Sequence, residues 1–299
     1  MTNGFSLERF KNISKVSFNC EVITPMFLGG ANPKNTELRE ASFKGVLRFW
    51  WRALHYFYAC KKNNNDFTKL REKEFILFGN TKNKSMVALK INQSGKIQSD
   101  LYSPLPHKNV SFKSRGISPK QKFNINIYSP KEIVSLFILI TVLGGFGKRA
   151  RRGFGSIEII NCSKEKDITK KIKELLPLIG LKENKHWKFK KNKIVFEQKN
   201  SDCRYPFIKS IEIGKKGYND YNSLLKIIGK SSHDNNSDCT GFAKGRGKRL
   251  SSPIYVSIAR GSDDKYYPVV TTLNIAYRYN LNCSQAMQKF KQDILRGEA

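Results

Sequence analysis

Cations framed by glycine are the chemistry this chain offers most plainly. From Gly144 to Ser156 it reads Gly-Gly-Phe-Gly-Lys-Arg-Ala-Arg-Arg-Gly-Phe-Gly-Ser, with Lys148, Arg149, Arg151 and Arg152 inside five positions. Glycine lets backbone N–H groups come close to a phosphate, and arginine adds bidentate donors. The segment leaves a helix and enters a strand, the reverse of the strand-to-helix order of a nucleotide phosphate loop. It therefore suits a polymer's phosphates better than a nucleotide, with a solvated hairpin loop as the bland alternative. Gly241 to Pro253 repeats the chemistry, spacing Lys244, Arg246, Lys248 and Arg249 with glycines ahead of a strand. A disordered basic linker is the alternative there.

A third basic feature is helical. In Ser42 to Tyr58, Phe43, Leu47, Trp50, Leu54, Phe57 and Tyr58 gather on one face at about 100° per residue. Lys44, Arg48 and Arg52 stack at i, i+4 on another, with His55 beside them and Trp51 at the seam. Like charges at that spacing repel. A polyanion reverses the sign, so the two readings are a contact with a polyanion and a solvated face whose stems cover the tryptophans. Trp51 is either a stacking platform or packing beneath the arginines.

Catalytic signals are weak. His186 and His233 fall in polar connectors, His107 in a Pro-rich loop beside Lys108, and His55 on the basic helix face. His55 or His107 could act as general acid or base in RNA cleavage, but a lone histidine among cations is more often a contact. No His-Asp pair, acidic cluster or paired cysteine offers a metal site, and no cofactor motif stands out. Glu37 and Glu40 are expected to neutralise Arg39 or Lys44.

The charge balance agrees with a polyanionic partner. Lys+Arg 55 against Asp+Glu 24 gives a net charge of +31, with 27 basic and 10 acidic residues up to Cys162 and 28 and 14 after it. The excess belongs to the whole body, and nucleic acid is the partner most able to offset it. No basic amphipathic helix stands apart to serve a membrane, and the apolar run Ile133 to Leu143 is too short to span one. Six dispersed cysteines predict a reduced, cytoplasmic chain without a disulfide framework.

Positioning these residues requires two similar units. Val16 to Ile23 is a strand candidate, followed by the basic helix, a short amphipathic piece over 67–78 and a strand over 86–91. Asn92 to Lys122 reads as irregular. Lys122 to Tyr128 alternates strictly, and Ser129-Pro130-Lys131-Glu132 reads as a capping box opening a helix to Leu143. Gly153 to Ile160 is the last strand. This is the split βαβ order. After Cys162, a helix over 167–179 and a strand or hairpin over 187–198 look like a connection. A strand over 205–213, a helix over 219–228, a polar loop over 231–238, two strands over 254–260 and 266–274, and a helix over 284–295 then repeat the order without a closing strand. The expected fold is α+β, two tandem ferredoxin-like (RRM-like) domains with antiparallel sheets and insertions, divided as 1–162 and 163–299.

Ile23 to Gly30, the run Lys44-Gly45-Val46-Leu47-Arg48-Phe49-Trp50-Trp51-Arg52 and the Gly-rich loop at 144–156 resemble the RAMP superfamily of CRISPR proteins. More narrowly, with Arg249 to Ser257 and Tyr267 to Val270, they resemble the family forming the first subunit of the Cmr (type III-B) effector complex. The resemblance implies a non-catalytic, RNA-binding subunit near the 3′ end of the guide (crRNA), engaging crRNA, target RNA and other Cmr subunits, with no small-molecule substrate. It also places Arg48, Trp51 and Arg52 in a hallmark motif. Residues 61–122 match no motif of the family. The different-class alternative is a metal-independent endoribonuclease processing CRISPR repeat RNA.

Overall fold

The computed structural model describes residues 10–30, 32, 35–58, 60–61, 64–93, 95–108, 110–161, 167–179, 187–197, 203–244, 248–275 and 282–297. In the N-terminal half, β1 (Ser14–Val22) leads to α1 (Glu40–Leu54), a 3-10 turn at Tyr56–Tyr58 and the short β2 (Cys60–Lys61) and β3 (Asn64–Asn65). There follow α2 (Thr68–Phe78), β4 (Ala88–Asn92), β5 (Ser99–Tyr102), β6 (Ser114–Ile117), β7 (Lys122–Ser129), α3 (Lys131–Leu143), a 3-10 turn at Ala150–Arg152 and β8 (Ile157–Ile159). The C-terminal half holds α4 (Ile168–Leu178), β9 (Trp187–Lys190), β10 (Lys193–Phe196), β11 (Ile208–Ile213) and α5 (Tyr221–Asp234). It ends with β12 (Phe242–Lys244), β13 (Lys248–Leu250), β14 (Ile254–Arg260), β15 (Tyr266–Leu273) and α6 (Ser284–Arg296).

The fold is α+β with antiparallel sheets. The first sheet has the order β4-β7-β1-β8 and the second β14-β15-β11-β10-β9. In the first, β1 and β7 alternate: Phe18, Cys20, Val22, Phe123, Ile125 and Ile127 point into the core and polar residues point out. One face of this sheet is therefore solvated. In the second, β14 is buried almost throughout, because both faces are covered. Leu224 and Ile228 of α5 and Phe290 and Ile294 of α6 pack with Val256, Ile258 and Val270. Across the other face lies a cluster shared by both halves, joining Phe18, Ile125 and Phe137 to Ile211, Tyr255 and Val269.

α3 explains that shared core. A helix apolar all round needs partners on every side, and α3 packs against α1, β7 and β8 of its own half and α4, β14 and β15 of the other. Its last carbonyls are claimed across the seam: Ser257 Oγ donates to Val142 O, and Thr271 Oγ1 to Leu143 O at 3.5 Å. Arg260 adds ion pairs to Glu21 (3.2 Å) and Glu158 (3.0 Å).

Several expectations are corrected. Asn92 to Lys122 contains the β5–β6 hairpin. The stretch taken as a connection supplies β9 and β10, and β10 lies beside β11 in the place a closing strand would take; the strand comes from upstream of β11, so the order of elements after β11 carries no sign of it. α5 continues to Asp234 through the supposed loop, started by Asp220 accepting from the N–H groups of Asn222 and Ser223 at 3.1 Å and steadied late by Lys230–Asp234 at 2.8 Å. Ser129 does not cap α3, its hydroxyl donating instead to Pro130 O at 3.1 Å. Finally, Cys239 and Cys283 form a disulfide across 44 residues, tying the turn after α5 to the start of α6. Chain topology brings these two distant cysteines together, so their sequence spacing carried no sign of it.

Candidate nucleic-acid interface

The three basic features meet different fates. On α1, the apolar stripe is core as expected, but the basic stripe does not face open solvent. Arg48 Nε and Arg52 Nη1 both donate to Glu74 Oε1 of α2, at 2.6 and 2.5 Å, and Lys44 Nζ donates to Ser85 Oγ at 2.7 Å. Glu74 is 4% exposed and the two guanidinium side chains about one-third exposed. One buried carboxylate thus offsets the i, i+4 repulsion that the sequence assigned to a polyanion. Burial and the nearby Arg48 charge lower the Lys44 ammonium below its usual value. Trp51 is 2% exposed, lies over His55 at 4.4 Å and leaves its Nε1 without a hydrogen-bond partner. It packs, and does not stand as a platform.

His55 is a core histidine. Its Nδ1 meets Trp51 O at 2.9 Å, and burial lowers its pKa from 6.5 to about 4. No reacting phosphate reaches it there. Glu40 accepts from the Ile91 N–H at 3.1 Å and does not pair with Lys44.

The Gly-rich loop splits its cations into two pairs. Arg151 Nη1 donates to Ser252 O at 2.8 Å, with its guanidinium 4.6 Å from the Tyr255 ring centre. Arg152 donates to Ile254 O and Thr240 O at 3.3 Å and lies 5.2 Å from the Phe290 ring. Burial, then the neighbouring Arg149 and Arg151 charges, lower its pKa to about 10. These two arginines bind the halves together, which gives dense cations a reason inside the fold. Lys148 and Arg149 face outward, Arg149 from a left-handed backbone with φ 60°.

The glycines also serve the fold. The N–H groups of Phe146, Lys148, Gly153 and Gly155 are taken by carbonyls of Gly155, Phe27, Val256 and Pro25. At Gly155 (φ +70°) a Cβ would sit 1.9 Å from Phe146 O, and at Gly147 (φ +92°) 2.5 Å from Phe27 O. Phe146 and Phe154 are buried, so neither flanking ring is available to a base. Phe112, 62% exposed, is the large aromatic most open to solvent among the described residues.

Gly241 to Pro253 forms the β12–β13 hairpin, with Lys244 opposite Lys248 and Ala243 opposite Arg249. Arg249 is exposed; Arg246 and the side chains of Lys244 and Lys248 lie outside the described residues. Because Arg151 and Arg152 grip Ser252, Ile254 and Thr240, the base of this hairpin is fastened to the Gly-rich loop. The two basic segments, a hundred residues apart, form one region.

That region also contains residues that no sequence motif marks. The loop after β5 lays His107 on α5, where a Cβ on Gly229 would come within 2.5 Å of His107 Nδ1. The His107 and His233 rings are 5.5 Å apart, and both His107 nitrogens lack a partner. Burial, then the charges of His233, Lys108 and Arg149, lower the His107 pKa, with Asp234 acting the other way. Lys108, Arg149 and His233 therefore converge from three segments, and Asp234 is occupied by Lys230. α5 was read as ending before His233, so only the fold pairs it with His107. Among the described residues, no group of three His, Cys, Asp or Glu is placed to hold a metal ion.

The RAMP superfamily model matches residues 19–158. The CRISPR system Cmr subunit Cmr1-2 of Pyrococcus furiosus is 31% identical over 179 residues, covering 48% of this chain and 93% of that one. Subunit Cmr1-1 of the same organism is 32% identical over 148 residues, 43% of this chain and 42% of that one. The chain belongs to the RAMP superfamily, and within it to the Cmr1 subunits of CRISPR Cmr systems. Solved structures agree at the level of fold. The apo crystal structure of Cmr1 from Pyrococcus furiosus superposes with TM-score 0.59 at 18% identity, covering 94% of this chain and 96% of that one. A chain of the type III-B Cmr-beta complex bound to cognate target RNA gives 0.58 at 14% identity, with 95% and 100% covered.

Proposed function

We propose that the chain is a non-catalytic, RNA-binding subunit of a type III-B CRISPR-Cas interference complex, working in the cytoplasm beside other Cmr subunits. It contacts the 3′ region of the crRNA and the target RNA. The two halves are read as tandem ferredoxin-like domains: the first sheet runs second, third, first, fourth strand, and the second sheet repeats that order when counted from β11, as β14-β15-β11 with β10 in the fourth place and β9 added beyond it. The observation that carries the proposal is the convergence of Lys148, Arg149, Lys108, His233 and the β12–β13 hairpin on one region where Asp234 is already paired. Unopposed cations on a body of net charge +31 are the footprint of a phosphate backbone. Membership among Cmr1 subunits, and the target RNA bound by the type III-B Cmr-beta complex that holds a chain of similar fold, support the same partner.

The test is salt-dependent binding to single-stranded RNA. The Lys148→Ala/Arg149→Ala double variant is expected to bind more weakly at every sequence and to lower the log–log salt slope by about 1–2. Salt-insensitive binding, or an unchanged slope in the variant, overturns the reading.

The His107–His233 pair favours one alternative, a metal-independent endoribonuclease acting on repeat RNA, since two imidazoles beside Lys108 and Arg149 could divide acid and base roles. Defined cuts in EDTA that vanish in both His107→Ala and His233→Ala would establish it.

A further inference from the structure

The outward-pointing residues of β4, β7 and β1 in the first sheet are exposed or half-buried, and the residue choice on this face is unusual. β4, β7 and β1 lie side by side, and their registers align Asn92, Asn124 and Asn19 in one rung. The next rungs read Lys90, Asn126, Ser17 and then Ala88, Tyr128, Lys15; on the other side Lys122 faces Glu21. Asn19, Asn92 and Asn124 are exposed. Asparagine is depleted in strands, where β-branched and aromatic residues fit the pleat better. A merely solvated face gains nothing from three of them in a row.

Nearby asparagines show what a structural role looks like. Asn126 Oδ1 accepts from Ser17 Oγ at 2.6 Å, while Asn161 accepts from the Asn19 N–H at 2.7 Å and donates to Ser17 O at 3.2 Å. The side-chain amides of Asn19, Asn92 and Asn124 have no such partners among the described residues. Each presents a donor and an acceptor on a rigid strand, the chemistry that reads the edge of an unpaired base. The charge on the face suits a polyanion. Lys15, Lys90 and Lys122 are exposed, and the acids at its margin, Glu21 and Glu158, are both held by Arg260.

We propose that this face is a second RNA site, in which the Asn19–Asn124–Asn92 rung reads base edges of a single strand while Lys15, Lys90 and Lys122 hold its phosphates. This rests on the RNA-binding reading above but uses a surface apart from the loops that carry it.

Substitution here leaves the core untouched. The triple variant Asn19→Thr/Asn92→Thr/Asn124→Thr exchanges a poor strand former for a good one, so its thermal midpoint should equal or exceed the parent's. The measurement compares the 299-residue chain's affinity for a mixed-sequence single-stranded RNA and for an abasic ribose-phosphate oligomer of equal length. The parent should favour the base-bearing strand by about tenfold or more, the scale of one good base-edge contact. The triple variant should bring that ratio close to unity while still binding the abasic strand. The Lys148→Ala/Arg149→Ala variant should weaken both strands equally. A parent with no preference, or a triple variant that keeps it, overturns the base-reading rung and leaves the loop reading intact. Failure of the parent to bind either strand removes the RNA-binding reading and the rung with it.

Discussion

His55 and Arg152 show how burial reassigns a residue that sequence places at a site. His55 is neutral in the fold, with a pKa near 4 against 6.5 in the unfolded chain. Between these values the unfolded chain binds the extra proton, so the contribution to stability is complete above pH 6.5 and is lost as pH falls toward 4. The shift corresponds to about 3 kcal/mol. Denaturant unfolding across that window should show the loss, and His55→Phe should flatten the pH dependence there, whatever its effect at neutral pH. Arg152→Ala strips donors from the Ile254 and Thr240 carbonyls and uncovers Phe290. A loss of about 2–3 kcal/mol is expected, whereas Lys148→Ala, at an exposed site, should lie within about 0.5 kcal/mol of the parent. Charge reversal at Arg152 is thus a stability experiment; the clean probes of RNA contact are Lys148 and Arg149.

At the scale of elements, α1 and α2 form a unit around one carboxylate. The sequence makes the repulsion among Lys44, Arg48 and Arg52 visible, but the relief comes from Glu74, more than twenty residues on and on a different helix. Glu74→Gln should cost about 2 kcal/mol, less than a fully buried pair because the arginines remain one-third exposed. The same variant returns two charges to solvent, so its salt slope for RNA should steepen and not flatten; unchanged stability in urea would show that Glu74 does little. The Gly-rich loop is the complementary case. Its glycines answer to the carbonyls of Phe27 and Phe146, and two of its three arginines to the second half of the chain.

For the molecule as a whole, the two halves are joined by the all-apolar α3, the Arg151 and Arg152 anchors and the Arg260 ion pairs. The Cys239–Cys283 link adds a constraint within the second half. Closing a loop of this length lowers unfolded-chain entropy by up to about 4 kcal/mol. Reduction, or Cys239→Ser/Cys283→Ser, should therefore lower the denaturation midpoint. An RNA affinity at Lys148 and Arg149 that survives reduction would assign the link to stability alone.

Much is legible in the amino-acid sequence alone. Periodicity set the apolar face of α1, the alternation of β7 and the burial of α3, because these are properties of consecutive residues. Net charge and glycine-framed cations pointed to a polyanion, since charge is additive along a chain. The resemblance carried by 23–30, 44–52 and 144–156 named the family. Tertiary structure decided which cations remain available. Arg48, Arg52, Arg151 and Arg152 acquired partners through contacts between segments far apart in sequence, while Lys148 and Arg149 kept their solvent. The same long-range geometry paired His107 with His233 and aligned three asparagines from three strands. A side chain's neighbours across the fold determine whether its charge is spent or free, and periodicity along the chain does not encode them.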